Sequence, residues 1–202
     1  MNEQIDYSRR DFLRRAIAAP VGVAAGIALV PTFIGLNLGT EAVTGMRAGN
    51  ASEYEDDRER CATVPEDQIC PPPPLLSIKE LYGDMGAPII EEAVFRDIPS
   101  SVLDYCSSDK RPAYLTSEHH LRLTRKEVIV GAISSLIFGA VHNHTSKGFD
   151  TNTIPASQTL CGGALWFLQR KFGFWSNLTA HATINTSASL IKQVFPTKGL
   201  KK

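Results

Sequence analysis

An uncharged run of 24 residues, from Ala16 to Gly39, constrains this 202-residue chain more than any other feature. A helix needs about 20 apolar residues to cross the hydrocarbon core of a bilayer, so the run is long enough to span a membrane. Four arginines, at positions 9, 10, 14 and 15, lie directly before it. Because basic residues favour the cytoplasmic end of a span, the pattern predicts a cytoplasmic tail at 1–15 and an outside location for the chain after residue 39.

The basic tail also carries a second signal. The segment Ser-Arg-Arg-Asp-Phe-Leu at positions 8–13 resembles the twin-arginine export signal of bacteria and archaea, an address read by a receptor. The apolar run is longer than that of a cleaved signal, about 7–15 residues, and it ends without a clean Ala-x-Ala site. A retained anchor at 16–39 is therefore favoured, and a cleaved signal that delivers a soluble domain to the outside is the alternative.

The rest of the chain divides into three parts by composition. Residues 40–78 form a polar, proline-rich linker, 79–196 form the core, and 197–202 form a basic tail. The linker contains Cys61 and Cys70, for which a disulfide is the less favoured interpretation and requires that the linker face an oxidising space. Two unrelated thiols are the favoured interpretation. No Cys-x-x-Cys pair is present in the sequence, so a zinc ribbon has no support.

Charge and hydropathy patterning indicate the class of protein. The chain has 21 basic and 21 acidic side chains and no basic stripe interleaved with aromatics, which excludes a nucleic-acid partner. Helices are predicted over three apolar blocks, at 128–141, 157–168 and 174–194, and over an earlier block that should end near Pro99. Runs of about 14 apolar residues suit short spans, buried core helices or re-entrant helices. The expected fold is all-α, an integral membrane helical bundle with a separate N-terminal hydrophobic helix.

A pair of carboxylates, Glu91 and Glu92, interrupts the first of these core blocks. Charged groups in an apolar setting are costly unless they are paired. Glu92 and Arg96 stand four residues apart in the order that favours a helical ion pair. Glu91 then points about 100° away around the helix, without a partner on that helix, and a desolvated carboxylate suits a general base. A solvated surface pair is the alternative.

Two further blocks each end in, or contain, a polar pair at helical spacing. Phe138 and His142 share one helix face, and so do His181 and Asn185. Imidazole and carboxamide groups can donate hydrogen bonds to an oxyanion, as hydrolysis of an acyl group requires. Taken singly, His142 is equally a helix cap, and His181 and Asn185 are equally two polar residues that satisfy each other.

In chain order, the clusters Glu-Glu-x-x-x-Arg, Phe-x-x-x-His and His-x-x-x-Asn resemble the signature of the CAAX-protease and bacteriocin-processing family. This family includes the type II CAAX prenyl endopeptidases. The resemblance covers about residues 80–196. It implies that Glu91 activates a water molecule, that His142 helps to hold that water, and that His181 and Asn185 stabilise the oxyanion.

The resemblance implies supporting roles as well. Glu92 and Arg96 would brace the site, and Phe138 would pack behind His142. The expected reaction is hydrolysis of a membrane-associated peptide or protein at the cell membrane of a prokaryote, without nucleic acid and with the lipid bilayer as surroundings. No cofactor is expected. Zinc held by Glu91, His142 and His181 is the less favoured alternative, because no His-Glu-x-x-His pair is present in the sequence.

The sequence also departs from the family. Asp97 follows Arg96 where the family commonly has glycine, and the apolar blocks are fewer than the six to eight spans that members usually have. These departures keep a rival function open: a non-catalytic membrane protein of the same fold, with a bacteriocin-immunity or scaffold role.

Overall fold

Helices make up most of the described chain. The computed structural model describes residues 2–51, 58–65, 68, 70–71, 86–106 and 122–194. Within this part the main helices are α1 (Asn2–Thr44), α2 (Ala87–Glu92), α3 (Ile98–Tyr105), α4 (Arg125–Val141), α5 (Ala156–Phe172) and α6 (Phe174–Val194). The strands found there are β1 (Arg47–Ala48), β2 (His144–Thr145), β3 (Gly148–Phe149) and β4 (Thr153–Ile154). The expectation of a helical protein, with helices at the three later apolar blocks, is confirmed.

A π-helical turn at Ala93–Asp97 joins α2 to α3 without a break. Proline has no N–H to donate, so Pro99 leaves the carbonyl of Phe95 without its usual helical partner. The hydroxyl of Ser134 on α4 donates a hydrogen bond to that carbonyl instead. The helix therefore continues past Pro99 to Tyr105, and the expectation that it ends near this proline is wrong.

The N-terminal helix is not separate, which corrects the sequence-based expectation. α1 packs along α6, and both helices run in the same direction, because Gly22 lies against Ser176 and Gly26 lies against Ala180. A Cβ atom on Gly26 would stand 2.8 Å from the carbonyl oxygen of Ala180. Two glycines four residues apart let helix backbones approach closely, and this sequence pattern makes α1 part of the bundle. Phe33 of α1 lies in the hydrophobic core.

Small residues also set the contact between α4 and α5, which run antiparallel. Gly131 lies against the indole of Trp166, and Gly162 lies against the backbone of Ser135. A Cβ atom on Gly162 would be only 3.0 Å from the Cα of Ser135. The two helices therefore approach one another at backbone distance along most of their length.

The two ends of the bundle differ in chemistry. We call the end where α4 begins and α3 and α5 finish the basic end. There, the buried Arg170 donates to Glu127 at 2.8 Å, to the Ser100 hydroxyl at 2.6 Å and to Asp104 at 2.8 Å. A buried cation is tolerated when such partners surround it, and these bonds fasten α3, α4 and α5 together.

The opposite end, called the strand end, is where α1 and α4 finish and α5 begins. β1 pairs in parallel with β4, and β2 forms an antiparallel hairpin with β3. The chain after β1 carries a disulfide between Cys61 and Cys70, so the favoured interpretation of two unrelated thiols is wrong. α1 continues five residues beyond the predicted limit at Gly39, so the start of the linker at residue 40 is helical.

The turn between β3 and β4 depends on Asp150. Its carboxylate accepts hydrogen bonds from the backbone N–H of Asn152 at 2.8 Å and from the hydroxyl of Thr153 at 2.7 Å. These bonds, the backbone one first, hold the pKa of Asp150 below its usual value. A carboxylate with a lowered folded-state pKa stabilises the fold above its ordinary pKa, and that stabilisation is lost as the pH falls through the folded pKa.

We expect Gly22→Ala to lower the free energy of unfolding by about 1–3 kcal/mol, because the new methyl group overlaps the carbonyl of Ser176. Gly35→Ala on the same helix is the matched control, since nothing lies within 4 Å of its Cβ position. It should leave stability unchanged or slightly raised. Thermal unfolding in detergent measures both, and equal losses in the two variants would contradict the close packing of α1 on α6.

We expect Asp150→Asn to cost about 1 kcal/mol of unfolding free energy at neutral pH, because hydrogen bonds to a charged acceptor are lost. The difference between wild type and variant should shrink as the pH falls below about 4, where the wild-type carboxylate becomes protonated. Unfolding measured from pH 3 to pH 7 tests this. A difference that grows towards acid pH would rule the assignment out.

Candidate active site

Glu92 is the centre of the polar cluster. It is fully buried on α2, and its Oε1 lies 2.6 Å from Nδ1 of His181. Its Oε2 accepts a hydrogen bond from the side-chain amide of Asn177 at 2.7 Å. Arg96 lies one turn further along, with Nη1 3.5 Å from Oε1. The sequence assigned Glu92 to Arg96 alone, whereas in the structure this carboxylate connects α2 to α6.

The bond to Glu92 fixes the proton on His181. A carboxylate only accepts hydrogen bonds, so Nδ1 of His181 carries the hydrogen, and in the neutral ring Nε2 carries the lone pair. Nε2 lies 3.5 Å from Oε2 of Glu91. The two adjacent glutamates therefore face the two nitrogens of one imidazole.

Glu91 and Glu92 differ in their access to solvent. The side chain of Glu91 is 27% exposed, whereas that of Glu92 is completely buried. The predicted base is thus the accessible carboxylate of the pair. The imidazole of His181 on α6 lies beside it, a partner that reasoning along a single helix could not supply.

Arg96 is a buried cation that lies beside two aromatic rings. Its guanidinium carbon lies 3.9 Å from the centre of the Phe138 ring and 5.9 Å from that of Phe95. A cation over an aromatic face is stabilised by the ring quadrupole, and more so when both are desolvated. The guanidinium fits because Gly162 lies opposite: a Cβ atom there would stand 3.1 Å from Nη2.

Phe138 joins the two histidines. Its ring centre lies 4.4 Å from that of His142 and 5.8 Å from that of His181. Nδ1 of His142 lies 2.8 Å from the carbonyl oxygen of Phe138, one turn back. Because a carbonyl only accepts, Nδ1 carries the hydrogen, and Nε2 of the neutral ring presents its lone pair away from the helix.

Asn185 is less closely attached than the other predicted residues. It lies partly exposed on α6, one turn after His181, and makes no side-chain hydrogen bond within the part of the chain that the structure describes. Asn177, one turn before His181, is the amide that contacts the cluster. Sequence reasoning missed Asn177, although its spacing of four residues from His181 places it on the same face.

Glu91, His142 and His181 are the residues that the zinc alternative requires. Among the residues that the structure describes, no group of three or more His, Cys, Asp or Glu side chains is arranged to hold a metal ion. Glu91 and His181 approach each other, while the imidazole of His142 contacts the ring and the carbonyl of Phe138.

The part of the chain that contains the cluster matches a known family at the level of sequence. A family model described as type II CAAX prenyl endopeptidase Rce1-like matches residues 81–187, a range that contains all seven predicted site residues. No curated protein and no solved structure shows a significant match.

The adjacent glutamates give a matched pair of variants for stability. We expect Glu92→Gln to lower the free energy of unfolding by about 3–5 kcal/mol, because it removes a buried charge that faces both Arg96 and His181. Glu91→Gln should cost far less, because that side chain is partly solvated. Unfolding in detergent compares the two, and a larger loss for Glu91→Gln would contradict the buried role of Glu92.

Proposed function

This chain belongs to the Rce1-like family of type II CAAX prenyl endopeptidases, and from that premise we propose that it is an intramembrane endopeptidase whose attacking water is activated by Glu91. Membership assigns a membrane protease of the CAAX type at the level of the family. The observation that carries the finer proposal is the pairing of two carboxylates with the two nitrogens of His181, one buried and one open to solvent.

The positions of the two glutamates support a route for the proton. Glu91 accepts a proton from the water as that water attacks the scissile carbonyl carbon. Oε2 of Glu91 lies 3.5 Å from Nε2 of His181, so the proton passes on when the two groups move into hydrogen-bond distance as substrate binds. The imidazolium that results is stabilised by Glu92 through the 2.6 Å bond at Nδ1, as a buried carboxylate does in hydrolytic triads.

The same proton then serves the later steps. Nε2–H of the imidazolium can donate to the oxyanion and afterwards protonate the leaving amine, so that the bond cleaved is the peptide C–N bond. His142 supports the water through its Nε2 lone pair, which its own hydrogen bond to Phe138 keeps free of hydrogen. Asn185 is proposed as a second oxyanion donor, reached when substrate occupies the site. No cofactor takes part in this route, and a zinc-dependent route remains the alternative.

The distribution of apolar side chains supports membrane embedding of the core. Charged residues such as Glu92, Arg96 and Glu127 lie inside, whereas aliphatic side chains cover the outer faces of the helices. On α2 to α4 the exposed aliphatic residues are Ile89, Ile90, Val94, Ile98, Val102, Val128, Ile129, Ile133, Leu136, Ile137 and Val141. Soluble monomers rarely expose apolar surface on this scale, and lipid is its natural neighbour.

Helix α1 is the strongest single candidate for a span. Among the described residues, Ala16–Thr44 is the one helix that is long and apolar enough, by length and composition, to cross a membrane. We propose a prokaryotic cell-membrane protein with a cytoplasmic N-terminus, on the strength of the arginines before this helix. The twin-arginine-like motif stays a prediction.

The test compares wild type with Glu91→Gln and His181→Ala against a peptide library in detergent micelles, read by mass spectrometry. Removal of a general base should lower the rate by about 10²- to 10⁴-fold. Glu59→Gln is the control, because Glu59 is an exposed glutamate in the segment after β1. Cleavage by all variants alike, or by none including wild type, would contradict the enzyme and favour a binding role.

A further inference from the structure

We propose that Asn177, a residue outside the three signature clusters, is a positioning residue for the reaction. Its side-chain amide holds the second oxygen of Glu92, and through Glu92 it aims both His181 and Glu91. This inference rests on the proposed protease function and adds the group that keeps the site in register. It is carried by the contact that Glu92 makes with α6 at two points.

Each oxygen of the Glu92 carboxylate makes one short hydrogen bond. Oε1 lies 2.6 Å from Nδ1 of His181, and Oε2 accepts from Nδ2 of Asn177 at 2.7 Å. Arg96 is close but does not direct the carboxylate, because its Nη1 lies 3.5 Å from Oε1, beyond the usual hydrogen-bond range. Within the described chain, Asn177 is therefore the donor that decides where Oε2 lies.

The two bonds connect one carboxylate to successive turns of the same helix. Asn177 and His181 are four residues apart on α6, a separation of about 6 Å along the helix axis at 1.5 Å per residue. The carboxylate cannot rotate, and α2 cannot shift along α6, without breaking one of the two bonds. The register between α2 and α6 is thus set by a pair of bonds, one of which belongs to Asn177.

The position of Asn177 itself is determined by the packing of its neighbours. Both Asn177 and the preceding residue, Ser176, are fully buried. The hydroxyl of Ser176 lies 3.1 Å from the carbonyl oxygen of Leu168 and 2.7 Å from that of Gly173. Gly22 of α1 lies against the backbone of Ser176. This turn of α6 is therefore fastened to both α5 and α1, which keeps the amide at a fixed place.

The bond to Glu92 accounts for an amide at this position better than packing does. Nδ2 of Asn177 donates to the carboxylate, whereas its Oδ1 is buried and makes no hydrogen bond within the described chain. An unpaired buried oxygen costs stability, and a leucine of the same shape would avoid that cost. A neutral donor also holds Oε2 without adding a charge, so the charge of Glu92 stays available to the His181 imidazolium.

The consequence for catalysis concerns the transition state. Charge appears on His181 only while the water attacks, so a misaligned Glu92 weakens stabilisation of the transition state more than it weakens substrate binding. The 3.5 Å separation between Oε2 of Glu91 and Nε2 of His181 depends on the same register, because Glu91 adjoins Glu92 on α2. Loss of the Asn177 amide should therefore lower kcat and leave KM nearly unchanged.

Asn177→Leu tests the proposal, because leucine keeps the shape of the side chain and removes the donor. In the micelle assay, on a peptide that the wild type cleaves, kcat per folded protein should fall about 10- to 100-fold. Asn37→Leu is the matched control, since Asn37 is a partly buried asparagine on α1 outside the cluster, and it should keep the wild-type kcat.

The kinetic result separates positioning from a structural role. A structural amide would lower the amount of folded protein and leave kcat per folded protein unchanged. Equal kcat in the wild type and in Asn177→Leu, or a change in KM alone, would overturn the proposal. If the wild type itself cleaves no peptide, the proposed function fails instead.

A measurement on the wild type covers the case in which Asn177→Leu does not fold. In protein labelled with ¹⁵N-asparagine, one Nδ2 proton of Asn177 should shift downfield and exchange slowly with solvent, because it is bonded to a buried carboxylate. Asn177→Asp, which has the same shape, identifies the signal. Rapid exchange of both Nδ2 protons would overturn the proposal, and this readout needs no catalysis.

Discussion

A carboxylate that is completely removed from solvent determines the arrangement of this protein. Glu92 can remain buried because His181, Asn177 and Arg96 surround it, and those residues come from two different helices. Ionised groups in a low-dielectric interior are tolerated only with such partners, so α2 and α6 must meet at one register. The position of Glu91 follows from this constraint, because Glu92 is its neighbour in sequence. The bond of Glu92 to Nδ1 of His181 also orients Nε2 of that ring towards Glu91.

The remaining structure supports that meeting point. Arg96 occupies the space between Phe138 and Gly162, which brings α4 and α5 against α2. α1 packs on α6 through glycines, at the level of the turns that carry Asn177 and His181. The Arg170 network repeats the same principle at the basic end, where a buried charge on α5 is satisfied by side chains of α3 and α4. The contacts between buried polar groups therefore stabilise the fold and also fix the geometry of the candidate site.

The sequence could predict those features that a single helix encodes. Apolar periodicity predicted the later helices, and the spacing of Phe138 and His142 predicted a shared face. The spacing of Cys61 and Cys70 did not decide between a disulfide and two free thiols. The sequence could not predict contacts between helices. The bond of Glu92 to His181 joins residues 89 positions apart, and Asn177 can be assigned to the cluster only once its own bond to Glu92 is known. The two-residue strands β1 and β4 have no periodicity to detect. The uncharged run at 16–39 predicted a span but not the helix that it packs against. The predicted stop at Pro99 is wrong because Ser134, which donates to the carbonyl that this proline leaves unpaired, lies on another helix.

The proposed mechanism depends on one imidazole. It requires that Nδ1 of His181 carry the hydrogen bonded to Glu92 and that Nε2 face Glu91. Nitrogen-15 NMR of ¹⁵N-histidine-labelled protein distinguishes the two ring nitrogens, and His181→Gln identifies the signal. We expect a protonated Nδ1 and an unprotonated Nε2 in the resting neutral ring, with Nε2 perturbed by Glu91→Gln. A neutral ring protonated at Nε2, or one indifferent to both glutamates, would contradict it.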